Sequence, residues 1–444
     1  MSFHNGKFPA IVVCLLCLTS ISTFGQVSAS LSGRITDPTG AAIPAATVTA
    51  NNIETGIART TLSNQSGEYQ LLELPLGRYE VHASKEGFTE EKRAGISLVV
   101  GQAANADLTL QVGQIKQQVT VTENVPVVNS STQDISGLVG EQQVRDLPLN
   151  GRSYDLLLTL NPGIVNFTSQ KTGGIGVSNS TTGNNFAVSG NRPQQNLFLL
   201  NGIEFTGAAE NNMQPGGPSQ QLLGVEAVRE FNVLRDSYGA AYGKRPGAQV
   251  IIVTQSGTNK LHGSVYEFLR NNALDAPNYF DQGSAPPFQR NQFGAALGGP
   301  IKRDKVFLFG NYEGYRQHLH QTSVAFVPNL ASRAAAVPSV QPLLNLWITP
   351  PANAPDFNGI AQVFSSPLQT IREDFGTARF DLNLSPKDTG SAVYTIDDGG
   401  DVTATTANPY STDILNLREQ VLSIDETHIS SSFLPSCQRW QLAA

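Results

Sequence analysis

Cysteine is almost missing from this chain: among 444 residues there are three, Cys14, Cys17 and Cys437. The first two form a CxxC inside an N-terminal apolar stretch, and Cys437 stands alone, so no intrachain disulfide is expected in the mature protein. Charge is sparse as well. Asp, Glu, Lys and Arg make up 15% of the residues, the net charge is −7, and no basic block occurs, so no nucleic-acid partner is expected. Past the N-terminus no apolar run reaches the ~18 residues of a membrane-spanning helix, and any insertion into a bilayer has to use strands. GxSxG, HExxH and phosphate-loop patterns are absent; no catalytic residue, enzyme activity or cofactor is expected. The six histidines, His4, His82, His262, His318, His320 and His428, are scattered. His318 and His320 would share a strand face but open a loop, and Asp397, Asp398 and Asp401 lack the spacing of a calcium loop, so no metal site is expected.

The N-terminus reads as a secretory signal. Lys7 supplies the positive region, residues 10–18 the apolar core, and Thr23-Phe24-Gly25 a cleavage site after residue 25, with Val27-Ser28-Ala29 as second choice. Removal of residues 1–25 takes the CxxC with it.

What is abundant is alternation between turn signals. Residues 29–112 hold seven short candidate strands, at 30–36, 47–51, 58–62, 69–74, 77–84, 95–100 and 104–111. Asp37-Pro38-Thr39-Gly40 and Asn64-Gln65-Ser66-Gly67 punctuate them, glycine supplying the positive φ such turns need. Seven strands of this kind predict a Greek-key β-sandwich. Residues 114–129 form a polar linker with one β-prone run, Val119-Thr120-Val121-Thr122-Glu123. Residues 167–185, rich in Gly, Ser, Thr and Asn, predict a mobile loop.

The grammar changes between Val225 and Ala276. Residues 225–233 fit a helix or a strand, 238–247 (YGAAYGKRPG) a small-residue loop, and 250–254 a buried β-branched strand. From Leu261 onward, long alternating segments predict strands at 263–269, 292–300, 306–316, 376–384 and 391–397, and a further one at 420–428. Tyr266, Phe268, Phe307, Phe309, Tyr312 and Tyr315 are expected on a lipid-facing or interfacial side. Residues 317–370 are Pro- and Ala-rich and predict one long loop.

Three passages carry resemblances. GRITDPTGAAIPAATVTANNIETG with GEYQLLELPLGRYEVHASKEGF resembles the carboxypeptidase-regulatory-like domain, a fold without a peptidase centre, some relatives of which bind starch or other glycans. VRDLPLNGRSYDLLLTLNPGI and FAVSGNRPQQNLFLLNGIEF resemble the plug of TonB-dependent outer-membrane receptors. The stretch from 225 to 276 resembles the end of that plug and the first barrel strand, and the domain order resembles the Oar-like branch. The fold implied is mainly β: the sandwich at 29–112, a linker at 113–129, an α+β plug domain at 130–257, and an incomplete antiparallel transmembrane β-barrel at 261–429.

The resemblance also implies function. Val119, Thr120, Val121, Thr122 and Glu123 are similar to the segment that engages TonB by adding a strand to its sheet edge, an ordinary plug strand being the alternative. Arg192, Asn196, Asn201 and Glu204 would sit on ligand-side plug loops, turn formation being the alternative for each. The partners would be the TonB-ExbB-ExbD complex, outer-membrane lipid and an unidentified glycan, siderophore or peptide ligand. Location would be the outer membrane, after removal of a Sec-type signal.

Such receptors have barrels of about twenty-two strands, and the chain after Leu261 supplies about a third of that. Residues 430–444 lose the alternation and break at Pro435, which predicts an aberrant tail. Two other functions stay open: a sandwich that binds a glycan or protein, and a truncated remnant without function.

Overall fold

The computed structural model describes residues 27–113, 118–122, 134–166, 184–206, 215–239, 242–277, 279–281, 283–404, 408, 410–431 and 434–443. The signal at 1–25, Glu123 and all but the last two residues of the expected loop at 167–185 lie outside them.

The N-terminal unit is built from β1 (Ala29–Thr36), β2 (Thr47–Asn52), β3 (Ala58–Leu62), β4 (Glu68–Leu74), β5 (Gly77–Ser84), β6 (Glu90–Leu98), β7 (Ala103–Asn105) and β8 (Leu108–Thr109). One sheet has the order β4-β1-β7, with β8 also on β1; the other runs β3-β2-β5-β6-β9, where β9 is Gln118–Thr122. Alternation turns Leu31, Ile35, Val48, Val81, Ile96 and Leu108 into the shared core between the sheets. Two tyrosines bury their rings there and satisfy their hydroxyls on backbone: Tyr69 Oη donates to Ala106 O at 2.6 Å and Tyr79 Oη to Pro75 O at 2.6 Å. Gly33 is required by close approach, since a Cβ there would lie 2.1 Å from Ala106 O.

The central unit contains β10 (Ile135–Val139), α1 (Glu141–Asp146), 3-10 turns at Asn150–Arg152 and Tyr154–Leu160, β11 (Ile164–Asn166), β12 (Phe186–Val188), β13 (Leu197–Leu200), β14 (Ile203–Glu204), β15 (Val228–Arg235) and β16 (Gln249–Thr254). Its main sheet has the order β10-β15-β16-β13-β14, with β13 parallel to β16. The β-branched run of β16 is buried along its whole length, as a strand covered on both faces must be. The ambiguous segment at 225–233 resolves into a 3-10 turn, Val225–Ala227, followed by strand β15.

The rest is a seven-stranded antiparallel sheet. It comprises β17 (His262–Asn271), β18 (Phe288–Lys302), β19 (Val306–His320), β22 (Leu368–Asn383), β23 (Asp388–Ala404), β24 (Thr412–Ser431) and β25 (Leu434–Ala443), paired in that order. β18, β19, β22, β23 and β24 run longer than the ~10 residues a tilted strand needs to cross a bilayer. Connections at one end are short, at residues 303–305 and 384–387; at the other they span 272–287, 321–367 and 405–411. The expected loop at 317–370 is only partly a loop. β19 and β22 extend into it, and its middle folds as a hairpin of β20 (Ser323–Pro328) and β21 (Ile360–Ser365), with α2 (Leu330–Ala335) and α3 (Gln341–Leu344) between them.

Two expectations are corrected here. Residues 434–443 continue the sheet as β25, with a register irregularity between Ile429 and Ser431, next to Pro435. Proline lacks the N–H for a central ladder but is tolerated at an edge or an irregularity, and β25 is an edge of the described sheet. The second correction concerns the aromatics. Phe307, Phe309 and Tyr315 are buried on the side facing the central unit, and Tyr266 has the same facing; Leu308 and Tyr312 are exposed on the other side. Alternation predicts which residues share a face, but the contact with the central unit decides which face is which.

The outer face carries Val265, Leu297, Leu308, Phe380, Tyr394 and Ile424, all exposed. Toward the long connections this apolar zone ends in charged residues of the same facing. Arg316 Nη2 lies 2.7 Å from Asp374, Arg372 also pairs with Asp374, and Arg418 Nε lies 2.7 Å from Asp398.

Candidate functional site

The inner face of the sheet carries buried carboxylates where apolar residues would be the simpler choice. Glu313 on β19, Glu373 on β22 and Asp397 on β23 are all buried, and Phe375 lies opposite both Glu313 and Asp397 in the ladder. A buried carboxylate needs donors, and for Glu313 and Glu373 the central unit supplies them. Gly224 N donates to Glu313 Oε2 at 2.9 Å, and Ser219 N donates to Glu373 Oε2 at 2.7 Å. The approach is tight: a Cβ on Gly217 would lie 2.2 Å from Glu373 Oε1, and one on Gly224 would lie 2.3 Å from the Phe375 ring. Gly224 is also at φ +94°, a conformation glycine adopts freely.

Arg152 is the cation of this seam. Its Nη2 donates to Glu226 Oε1 at 3.0 Å, and its Nε lies 3.8 Å from Glu313 Oε1. The guanidinium also stacks 4.2 Å from the Tyr266 ring centroid and 4.7 Å from that of Phe268. Gln292 bridges the units, donating to Glu313 Oε1 at 2.6 Å and to Gly151 O at 3.1 Å. Ser264 Oγ on β17 donates to Glu226 Oε2 at 2.8 Å. Behind Arg152, Ser153 Oγ donates to Asp155 Oδ1 at 2.5 Å and accepts from Leu222 N at 2.7 Å. Asn184 Nδ2 completes this knot, 3.0 Å from Asp155 Oδ2. Burial pushes the Asp155 carboxyl up to about 6, with the Ser153 and Asn184 hydrogen bonds pulling the other way.

At the end with the short connections a second set of contacts closes the seam. Arg379 Nη1 donates to Thr254 O at 3.1 Å and to its Oγ1 at 3.2 Å, while Arg379 forks onto Asp381. A cavity of about 160 Å³ lies beside it, lined by all three units, among them Glu73, Asn201, Arg229 and Asp425. Below it the sandwich meets the central unit. Arg229 Nη2 lies 3.0 Å from Glu54 Oε2, and Val100 N donates to Glu230 Oε1 at 2.6 Å. Burial works against the charge on Arg229, but Glu54 and Glu230 outweigh it and hold its pKa above the usual value.

The residues singled out in the sequence fall as follows. Val119, Thr120, Val121 and Thr122 lie in β9, paired in parallel with β6 of the sandwich. Arg192 is exposed at the entry to a 3-10 turn, its N–H donating to Gln195 Oε1. Asn196 is buried and serves the backbone, donating to Phe186 O and accepting from Ala248 N. Asn201 takes φ +49° and accepts from Thr254 N at 3.0 Å. It lines the cavity beside the sandwich, at the end of the short connections. Glu204 pairs with Lys244 and, at 3.3 Å, with Arg245; burial opposes its charge, yet Lys244, Thr206 and Arg245 keep its carboxyl below the usual range. Arg245 also donates to Asn196 O, so it ties Asn196 to Glu204.

Missed in the sequence were Arg152, Glu226, Glu313, Glu373 and Arg379, and Asp397 was weighed only as part of a calcium loop. Their signal was present: a charged residue on the inner register of a strand otherwise alternating apolar, as in NYEGY and IREDF. The histidines are also less scattered than their spacing suggested. His428 stands opposite Asp388, with Nδ1 2.5 Å from Oδ1, and Glu426 completes a group whose ligand-type atoms lie within 4.8 Å of one another.

Residues 30–111 match the carboxypeptidase regulatory-like domain model, and residues 253–343 match an outer membrane beta barrel domain model. Over 320 residues the chain is 23% identical to the TonB-dependent transporter Oar of Myxococcus xanthus, covering 68% of this chain and 28% of that protein. The chain thus spans little more than a quarter of the length of this curated relative. Among solved structures it is similar to the outer membrane transporter YddB from Escherichia coli (13% identity, TM-score 0.46, 67% of this chain and 37% of that one). It is similar too to the ferric enterobactin receptor from Pseudomonas aeruginosa (14% identity, TM-score 0.43, 69% and 40%).

Proposed function

We propose that this chain, a homologue of the TonB-dependent transporter Oar with a carboxypeptidase regulatory-like domain and an outer membrane barrel segment, is the N-terminal part of a TonB-dependent outer-membrane receptor. In this reading the central unit is the plug, the seven strands are part of the barrel wall, the short connections are periplasmic and the long ones extracellular. The observation that carries it is the seam. A compact unit lies against the inner face of a sheet whose outer face is apolar, and it is held there by Arg152 and by backbone donors to Glu313 and Glu373.

Mechanistically, such a seam holds the plug through a small number of buried polar contacts. Each is strong while water is excluded and exchangeable for water once the plug shifts. Val119, Thr120, Val121, Thr122 and Glu123 would take up the TonB partner, with ExbB and ExbD energising it, and the long connections would meet the ligand, whether glycan, siderophore or peptide. Closing the wall needs further strands, because an open sheet edge is not tolerated in lipid. The reading of the sandwich as an independent glycan- or protein-binding module finds less support, since one of its loops is built into the core beneath the plug sheet.

The test is an immunoblot of outer membranes from the native cell, probed for residues 29–112, with and without heating. A band that shifts on heating, above the mass encoded by 444 residues, supports a closed-barrel receptor. A heat-insensitive band at the encoded mass, or none in outer membranes, would sink it and leave the binding-module and remnant readings.

A further inference from the structure

The plug sheet has two apolar faces: the plug covers one, and the sandwich shares the covering of the other with the plug's own Leu138, Tyr238 and Tyr242. Phe198, Leu200, Phe231, Val250 and Ile252 pack into the plug's own core. The alternate residues Leu197, Leu199, Ile251 and Val253 lie on the opposite face, in one cluster with Val100 and Leu76 of the sandwich. All four are 6% exposed or less. A sheet apolar on both faces must be covered on both, and here the sandwich completes the plug's core. Polar contacts ring this apolar seam: Glu54 with Arg229, Val100 N with Glu230, and Asn232 Nδ2 with Val100 O at 3.2 Å.

Contacts from the sandwich to the barrel are different in kind. Among the described residues the hydrogen bonds are polar contacts at the end of the short turns. Arg59 donates to Pro386 O and, at 3.3 Å, to Thr389 Oγ1; Gly56 abuts Asp304. The sandwich is thus joined to the plug by a core and to the barrel by surface contacts. The strand β9 belongs to the sandwich: it pairs with β6 from Glu90–Gln118 to Ala94–Thr122. β6 in turn leads directly to Val99 and Val100, which enter the seam.

We propose that the sandwich and the plug form one mechanical body, with the sandwich as its handle. Tension applied at Val119–Thr122 passes through β6 and the shared core into the plug sheet, and the two units leave the barrel turns at Asp304 and Pro386 together. The inference rests on the receptor reading above. It differs from a plug drawn out by its N-terminal strand alone, in which the sandwich would stay in place as a passive appendage.

A built-in lock tests it. A Cβ on Gly56 lies 3.3 Å from Asp304 Cβ, close to the ~3.5–4.5 Å span of a disulfide. The receptor of which, in the reading above, this chain is a part is expressed with its wall closed and with Cys437→Ser, Gly56→Cys and Asp304→Cys. Ser219→Cys is added as a reporter, because Ser219 is buried in the seam against Glu373. A water-soluble maleimide reads the accessibility of the reporter in cells with and without TonB. The expected result is TonB-dependent labelling when the lock is reduced, its loss when the lock is oxidised, and its recovery on adding a reductant. Chains with only one of the two lock cysteines should label as the reduced lock does. TonB-dependent labelling that persists with the lock oxidised would overturn the coupling while leaving the receptor reading intact. Absence of TonB-dependent labelling in every variant would overturn both.

Discussion

Arg152 reaches across the seam to Glu313: its Nε lies 3.8 Å from Oε1 while its Nη2 holds Glu226 at 3.0 Å. One plug cation therefore serves a carboxylate of its own unit and one of the wall. Replacing Arg152 with Ala leaves the buried Glu313 and the half-buried Glu226 without their cation, and breaking a buried pair costs about 3–5 kcal/mol. The variant should unfold at markedly lower denaturant concentration in detergent, and Arg152→Lys, which keeps the charge but not the fork, should fall between. An unchanged unfolding midpoint for Arg152→Ala would contradict this role.

Asp155 should make the plug more stable in mild acid. Its folded pKa, about 6, exceeds the ordinary aspartate value of 3.8, so the native state holds the proton more tightly than the unfolded chain. Below the unfolded pKa both states are protonated and no penalty exists. As pH rises through the two values the penalty accrues, to at most about 3 kcal/mol. Urea unfolding of the full chain at pH values between the two should show stability falling as pH rises, and Asp155→Asn should flatten that slope. A slope unaltered in the variant would mean another group carries it.

Adjacent residues of β19 should respond oppositely to the two environments. Leu308→Arg puts a charge on the outer face close to the short turn, where the depth-dependent cost in lipid falls toward about 1 kcal/mol from its larger value at the midplane, but it disturbs nothing behind the sheet. Phe309→Ala leaves the outer face intact and opens a hole beside Leu223 and Ala227, at about 3–5 kcal/mol. Assembly into lipid vesicles reports the first, and protease resistance of the plug in detergent the second. If Leu308→Arg impaired the plug and spared assembly, the facing assigned to this strand would be wrong.

Gly33→Ala should weaken the sandwich, because its methyl would meet Ala106 O at 2.1 Å. Overpacking of this kind costs about 1–3 kcal/mol. Since the sandwich covers the plug sheet, the loss should appear as faster hydrogen exchange in β16 as well as in β1. Exchange confined to β1 would show that the two units open separately.

Much of the fold is legible along the chain because its signals are local. The β-branched run of β16, the turns around Gly40 and Gly67, and the alternation of β17 to β19 each state their conformation within ten or so residues. The facing of Phe307, Phe309 and Tyr315 is not local: period two is indifferent to which side meets the plug. Leu76, Val100, Leu197 and Leu199 read as ordinary strand or turn residues, and only assembly shows that they share a cluster. The carboxylates were legible as oddities, a Glu or Asp on the inner register, but their donors come from backbone N–H groups at Ser219 and Gly224, which every residue type but proline carries.

The charged residues on the outer face, Arg316, Asp374, Asp398 and Arg418, act in the proposed setting as a waterline. Sinking the wall by one residue pair would draw them toward hydrocarbon, at a cost that rises steeply with depth. Lifting it by the same amount would draw the charged short turn, Lys302, Arg303, Asp304 and Lys305, up toward hydrocarbon from the other side. The wall therefore has little freedom of draught. With its height fixed, the hairpin of β20 and β21 must stand clear of the bilayer, and the sandwich must hang below it, within reach of a partner on that side.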